Sequence, residues 1–223
     1  MRRVMIGSGY HEKPDNLASE FFHIWIRNIM KYDADNIIVI CDSGCRIPDG
    51  YSVEVREIPL DGNLGYCGDL LHDPKRGHFP GGPAVLMALA ALAYIDEADL
   101  FYHEQDCLSF GDCLGHMYKE IFNGGIVFGR NRQKVRVENC MFLLKHEFIP
   151  EFLATYAASE PETKPQSISE NKFERWMNAE PTKWRYHTIP GGRDRPLPFK
   201  AATWYGQKFT EEEMATLREM KLI

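Results

Sequence analysis

Glu104 and Asp106 stand two residues apart, directly after Leu100-Phe101-Tyr102-His103, four residues suited to a buried strand. Side chains alternate faces along a strand, so an extended Glu104-Gln105-Asp106 turns both carboxylates to one side, where they could hold a divalent cation between them. A packed interior has to deliver that strand, and the preceding residues supply one. From Ala84 to Ile95 no side chain is polar except the Tyr94 hydroxyl, and Pro83 stands where a first helical turn tolerates it. A helix apolar on every side belongs inside a protein, and a run this short cannot cross a bilayer. Asp96-Glu97-Ala98-Asp99 is the polar break before the strand. Buried helix, short turn, buried strand and carboxylates at its carboxyl end make half of an α/β unit, and such sheets bind ligands beyond the carboxyl ends of their strands.

The rest of the chain reads in the same alphabet. Arg3 to Ile6 is a short strand leading into Gly7-Ser8-Gly9-Tyr10, expected to be a loop that lets a ligand approach the backbone. The third glycine and the helix start of a dinucleotide fingerprint are missing. From Asn16 as N-cap, Leu17, Phe21, Ile24, Trp25, Ile29 and Met30 recur at helical spacing. Asn36 to Cys41 is a continuous apolar strand of the parallel-sheet kind, closed by a second acid, Asp42. Ser52 to Ile58 alternates and leads to a loop containing Asn63-Leu64-Gly65. Further strands are expected at Gly125–Arg130 and Val137–Leu144, joined by the basic turn 130–134, and helices at Phe148–Tyr156 and Glu170–Asn178 around a polar loop at 159–169. Phe173, Trp176 and Met177 form the apolar stripe of the last of these. Gly191-Gly192-Arg193-Asp194-Arg195 pairs glycines with arginines that could meet phosphates bidentately. Thr210 and Glu213 form a capping box for a closing helix.

Composition narrows the choice of partner. With 223 residues, a net charge of −6 and 44% apolar residues, the chain suits one sizeable core and has no basic footprint for nucleic acid. The six cysteines show no CxxC framework, which suits reduced thiols and a cytoplasmic location, and Cys107, Cys113, His103 and His116 match no common zinc spacing. No secretory signal or transmembrane segment is expected from the sequence.

Asp42 after the second strand, Asn63-Leu64-Gly65 after the third, and Glu104-Gln105-Asp106 after the next occur in an order that resembles the GT-A fold glycosyltransferases, of the family 2 kind, over roughly residues 3 to 178. The resemblance implies a single α/β domain over 1–223 with a mostly parallel, Rossmann-like central sheet flanked by helices. Its donor-binding part spans about 1–110 and its acceptor side about 111–223. It also implies a nucleotide-sugar donor, UDP-linked by default, and a hydroxyl-bearing acceptor on a glycan, lipid or protein-linked sugar. Gly7, Ser8, Gly9, Asp42, Asn63, Leu64, Gly65, Gln105, Arg193 and Arg195 are then expected around the donor. Glu104 and Asp106 take the place of the family's Asp-x-Asp motif and, with His187 as a C-terminal third ligand, would hold Mn2+ or Mg2+. Glu replaces the motif's first Asp, and Glu170-Asn171 replaces the frequent Glu-Asp, leaving Glu170 as the base. Ser167-x-x-Glu170 is equally a capping box. Two rivals stand beside this reading. A sugar-nucleotide pyrophosphorylase would need an arginine in the loop after the first strand, which is absent. A non-catalytic binding module would use Tyr66, Trp176, Trp184 and Trp204 to stack on a ligand.

Overall fold

The computed structural model of the chain describes residues 3–10, 17–42, 50–51, 54–58, 81–121, 124–131, 136–158, 169–179 and 181–223. In chain order these form β1 (Arg3–Tyr10), α1 (Leu17–Ile29), β2 (Asn36–Asp42), β3 (Glu54–Ile58), α2 (Gly81–Ile95), β4 (Ala98–His103), β5 (Cys107–Phe110), α3 (Cys113–Glu120), β6 (Ile126–Asn131) and β7 (Arg136–Leu144). A short 3-10 turn at His146–Phe148 then leads to α4 (Ile149–Ala158), α5 (Ser169–Ala179), β8 (Trp184–Tyr186), β9 (Gly191–Gly192), β10 (Trp204–Gln207) and α6 (Glu211–Glu219).

Seven strands form the central sheet in the order β3-β2-β1-β4-β7-β6-β8. All run parallel except β7, which is antiparallel to both of its neighbours. The fold is therefore the expected mostly parallel α/β sheet flanked by helices. Each strand feeds two cores, because successive residues face opposite sides. Ile6, Val39, Phe101, Val127 and Leu143 join Phe22, Trp25 and Ile29 of α1 on one face. Met5, Ile40, Leu100, Phe128 and Phe142 join Leu89 of α2, Phe152 of α4 and Phe173, Trp176 and Met177 of α5 on the other. Since α1 and α2 cover opposite faces, the connection reverses between β1 and β4, and the crevice of such a sheet lies beyond the carboxyl ends of those two strands.

The reading of Gly7-Ser8-Gly9 as a loop is corrected here. All three residues lie inside β1, in register with β2, and Gly7 also pairs with Tyr102 of β4. A Cβ on Gly7 would stand 2.9 Å from both Leu89 and Leu100, so the missing side chain lets α2 pack against the sheet. Ser8 is fully buried, with its hydroxyl on the Gly9 carbonyl at 3.2 Å.

A second sheet, in the order β5-β10-β9, was not anticipated from the sequence. It is fixed to the end of β4 by a buried polar network. Trp25 Nε1 donates to His103 Nδ1 at 3.0 Å, and because indole N–H is only a donor, the imidazole proton sits on Nε2, which meets Ser109 Oγ of β5 at 3.0 Å. Tyr32 Oη reaches the same hydroxyl at 2.8 Å, and Asn28 pairs with the Ser109 backbone through both ends of its amide, at 2.8 and 2.9 Å. Burial lowers the His103 pKa to about 3, so the ring is neutral scaffold.

Candidate functional site

Because β4 ends at His103, Glu104-Gln105-Asp106 forms the turn into β5. The Glu104 N–H continues the ladder to the Cys140 carbonyl of β7 at 2.8 Å, and the Cys107 N–H closes the turn on the Glu104 carbonyl at 3.0 Å. The expected pair of carboxylates is brought together, by a residue the sequence reading passed over. Gln207, the last residue of β10, lies opposite Cys107 in the β5 ladder. Its side-chain nitrogen donates to Glu104 Oε2 and, at 2.7 Å, to Asp106 Oδ1. The amide oxygen faces the other way and accepts from Arg193 Nε at 2.9 Å, which fixes the orientation, since a guanidinium can only donate. Arg193 Nε also lies 3.9 Å from Oε2 of Glu138, a carboxylate of β7 that is only 3% exposed.

Three acids therefore gather around one amide and one guanidinium. Burial raises the Asp106 pKa, against the opposing effects of the Gln207 hydrogen bond and the Lys208 and Arg193 charges. The thiols beside the turn stay protonated: burial pushes Cys107 up, and contact with Cys107 together with burial does the same to Cys140. Cys41, Cys107, Cys113 and Cys140 are all free and buried.

His187 is not brought to the carboxylates. It follows β8, is 5% exposed, packs edge-on against Tyr205 at 5.3 Å, and neither ring nitrogen has a hydrogen-bond partner among the described residues. Burial lowers its pKa to about 3. Among the described residues, no three His, Cys, Asp or Glu side chains come together as a metal-binding group.

The two arginines of the glycine loop separate. Arg195 is engaged throughout, donating to the carbonyls of Gly192, Asp194, Gln207 and Lys208 and pairing with Glu213 of α6 at 2.6 Å. Gly191 and Gly192 form β9, with φ of 125° and 76°, and a Cβ on either would run into Tyr205. Those glycines serve strand packing, which corrects their reading as a phosphate loop. Asp42 closes β2 at the same sheet edge as the end of β1. Gln105 sits partly buried in the carboxylate turn. Glu170 belongs to the first turn of α5, while its side chain, Ser167 and Asn63-Leu64-Gly65 lie outside the described residues.

Glu138, a carboxylate inside the apolar run of β7, is legible in principle by the pattern that singles out Glu104, whereas Gln207 carries no such local signal. A cavity of about 430 Å³ lies beside α1, lined by Arg27, Lys31, Phe110 and Trp204. No helix among the described residues is long and apolar enough to cross a membrane.

No family model matches the chain, and no curated protein matches it in sequence. Among solved structures it is similar to a glycosyltransferase involved in the glycosylation of the major capsid of PBCV-1, with a TM-score of 0.56 at 9% identity, covering 99% of this chain and 100% of that one. It is also similar to a protein of Mycobacterium sp. strain JC1 homologous to one from Mycobacterium tuberculosis, with a TM-score of 0.47 at 9% identity, covering 100% and 98%. At these identities the likeness concerns architecture, and on the first of them the chain shares its α/β fold with a glycosyltransferase.

Proposed function

We propose that this protein is a metal-dependent glycosyltransferase that moves a sugar from a nucleoside-diphosphate sugar, UDP-linked by default, to a hydroxyl of a glycan, lipid or protein-linked acceptor. The observation that carries this reading is the convergence of Glu104 and Asp106 on a single point at the carboxyl end of β4, beside the reversal between β1 and β4. The donor set fits Mn2+ or Mg2+. Magnesium in particular is commonly held by one or two carboxylates together with substrate phosphates and water, so a two-carboxylate site is a sufficient protein share. When bound, the ion supplies charge neutralisation on the diphosphate as it leaves.

The chain's own residues perform the remaining tasks in this reading. Arg193, with a third of its side chain exposed beside the carboxylates, presents a guanidinium to the diphosphate oxygens, where a charge-assisted contact is strongest. Asp42, at the same sheet edge, holds the nucleoside. Glu170, at the start of α5, takes the proton of the acceptor hydroxyl in an inverting reaction, a role worth about 10²–10⁴-fold in rate. Arg195 keeps the 191–195 segment in place, since its donors are already engaged.

A thermal-shift panel of nucleoside diphosphates with and without Mn2+ tests the reading, because a ligand that binds only the folded state raises its stability by mass action. One diphosphate should stabilise the protein in the presence of Mn2+, and Asp106→Ala should lose that response. Slow Mn2+-dependent hydrolysis of the matching nucleotide sugar should accompany it. A panel with no response to any diphosphate would remove the proposal.

A further inference from the structure

We propose that the cavity beside α1 binds an anionic amphiphile, a phosphate or carboxylate on a short alkyl chain, with Arg27 and Lys31 on the head and Phe110, Phe199 and Trp204 under the chain. This site is separate from the carboxylate pair, and no metal takes part in it. In the β5-β10 ladder Trp204 lies opposite Phe110 and Gln207 opposite Cys107, so the cavity floor stands three residues, about 10 Å, from the Glu104–Asp106 turn. The floor is aromatic. The Phe110 and Trp204 rings stack at 4.3 Å, and Phe199 meets Trp204 edge-on at 5.3 Å. Met220 and Leu222 also line the cavity, and they are large apolar side chains left 43% and 38% exposed. The alkyl chain of a ligand would cover them. At about 430 Å³ the space is of the size that small molecules occupy.

The charges decide which end of the ligand goes where. Arg27 lies in the last turn of α1, and the Met30 N–H still bonds the Ile26 carbonyl at 3.0 Å, so helical spacing carries on towards Lys31, four residues after Arg27. Like charges at this spacing repel each other, and an anion between them turns the repulsion into two attractions. No Asp or Glu lines the cavity, and among the described residues neither cation has an ion-pair partner. The helix dipole favours basic side chains at this end but gives neither of them a counter-ion. Lys31 donates one of its three N–H groups to the Ser109 carbonyl, with its ammonium 5.5 Å from the centroid of the Phe110 ring. Two donors remain for a head group. Desolvation lowers the Lys31 pKa, the mark of a cation that has lost water without gaining an acid in return. Arg27 makes no hydrogen bond among the described residues, so its planar fork is open to a bidentate head. A neutral amphiphile would leave both cations uncompensated, and an inorganic anion would leave the aromatic floor bare. A ligand with both parts answers both halves of the cavity.

Two titrations test this, both in EDTA and below the micelle concentration, so that neither metal nor aggregate takes part. The first is calorimetric, with octyl phosphate, octanoate, 1-octanol and inorganic phosphate as probes. At least one of octyl phosphate and octanoate should bind once per chain, about tenfold or more tightly than 1-octanol and inorganic phosphate, and the better of the two identifies the head. Arg27→Gln should weaken that binding about tenfold, the effect of one charge-assisted hydrogen bond. Ala202→Phe, at an exposed position of the cavity lining, should fill the space and abolish binding. Both positions are exposed, and urea unfolding checks that each variant is folded. The second titration needs no variant: the Trp204 indole N–H signal of 15N-labelled protein should move with the calorimetric midpoint. Equal affinity for 1-octanol would overturn the anionic head. Absence of saturable binding by both anionic probes, binding untouched by either variant, or an unmoved Trp204 signal would overturn the site. Since no metal is present, each of these outcomes is distinct from the Mn2+ response that decides the glycosyltransferase reading.

Discussion

One peptide bond separates two buried polar clusters of opposite character. His103 points into the network of Trp25, Ser109, Tyr32 and Asn28, where the imidazole has one donor and one acceptor and both are matched by neutral partners. Glu104 opens the other cluster, in which three carboxylates lie around the Gln207 amide with the Arg193 and Lys208 charges close by. Lys31 also donates to the Ser109 carbonyl, and groups whose donors and acceptors are matched in this way gain nothing further from a ligand, so such a network is scaffold. Carboxylates gathered around a neutral amide keep an attraction for a positive charge from outside. The difference shows that burial and polarity alone do not mark a site. What marks it is a charge imbalance that a ligand can relieve.

Asp106→Asn gives the largest test of this contrast. The substitution keeps an oxygen for the Gln207 amide and removes the charge. Loss of an electrostatic group acting on the developing charge should lower Mn2+-dependent donor hydrolysis by about 10²–10³-fold. Stability should move in the other direction. Because burial raises the folded-state pKa of Asp106, folding disfavours its ionised form, and the penalty is present at pH values above that raised pKa and relieved as pH falls through it. The neutral isostere should therefore be at least as stable as the wild type at neutral pH. A marked fall in urea midpoint for Asp106→Asn would assign the pair to the scaffold.

His103→Ala should show the reverse pattern. It strands the Trp25 N–H and leaves a cavity, which together cost about 3 kcal/mol or more in stability, measured by urea unfolding. The Mn2+ response of the folded fraction should survive. The pH dependence carries the same signature. Both His103 and His187 fall to about 3 in the fold against 6.5 for the free group. As pH drops below 6.5 the unfolded chain takes up protons that the folded one refuses. Stability should thus be complete above pH 6.5 and decline towards pH 3, by about 1.4 kcal/mol per pH unit for each histidine. Removing His103 should reduce that slope by about half. A slope unaltered in His103→Ala would show that the ring already titrates normally.

What the sequence revealed follows the same division. The strands β1, β2, β3, β4, β6 and β7 and the helices α1, α2, α4, α5 and α6 announce themselves through local periodicity and caps, as at Thr210 and Glu213, whose capping box is present. Glu104 and Asp106 were found because an apolar strand ends in charge. Gln207 was not, because its meaning depends on β10 pairing with β5 about a hundred residues away, a contact that no local pattern encodes. The second sheet failed for a related reason. Its strands are four, four and two residues long, too short to show a period, and the glycines of β9 carry no hydrophobic signal at all. Gly7 misled in the opposite sense. Its lack of a side chain was read as freedom for a ligand, whereas the space is taken by Leu89 of the packed helix.

Arg193 and Arg195 bring the contrast down to two residues of one loop, indistinguishable in the sequence. Arg195 spends its guanidinium on four carbonyls and on Glu213, with about a third of its side chain exposed, so its ion pair is partly screened. Arg193 faces the carboxylate cluster through Nε. A lysine keeps the charge and loses the planar fork, which matters wherever several oxygens are bound at once. Arg193→Lys should therefore reduce kcat/KM for the nucleotide sugar about tenfold, the effect of one charge-assisted hydrogen bond, with little change in unfolding. Arg195→Lys should lower stability by about 1 kcal/mol and leave kcat/KM unchanged, because its partners are all of the chain's own making. If the two variants exchanged phenotypes, the diphosphate would lie on the α6 side of the loop, and the carboxylate cluster would belong with His103 as scaffold.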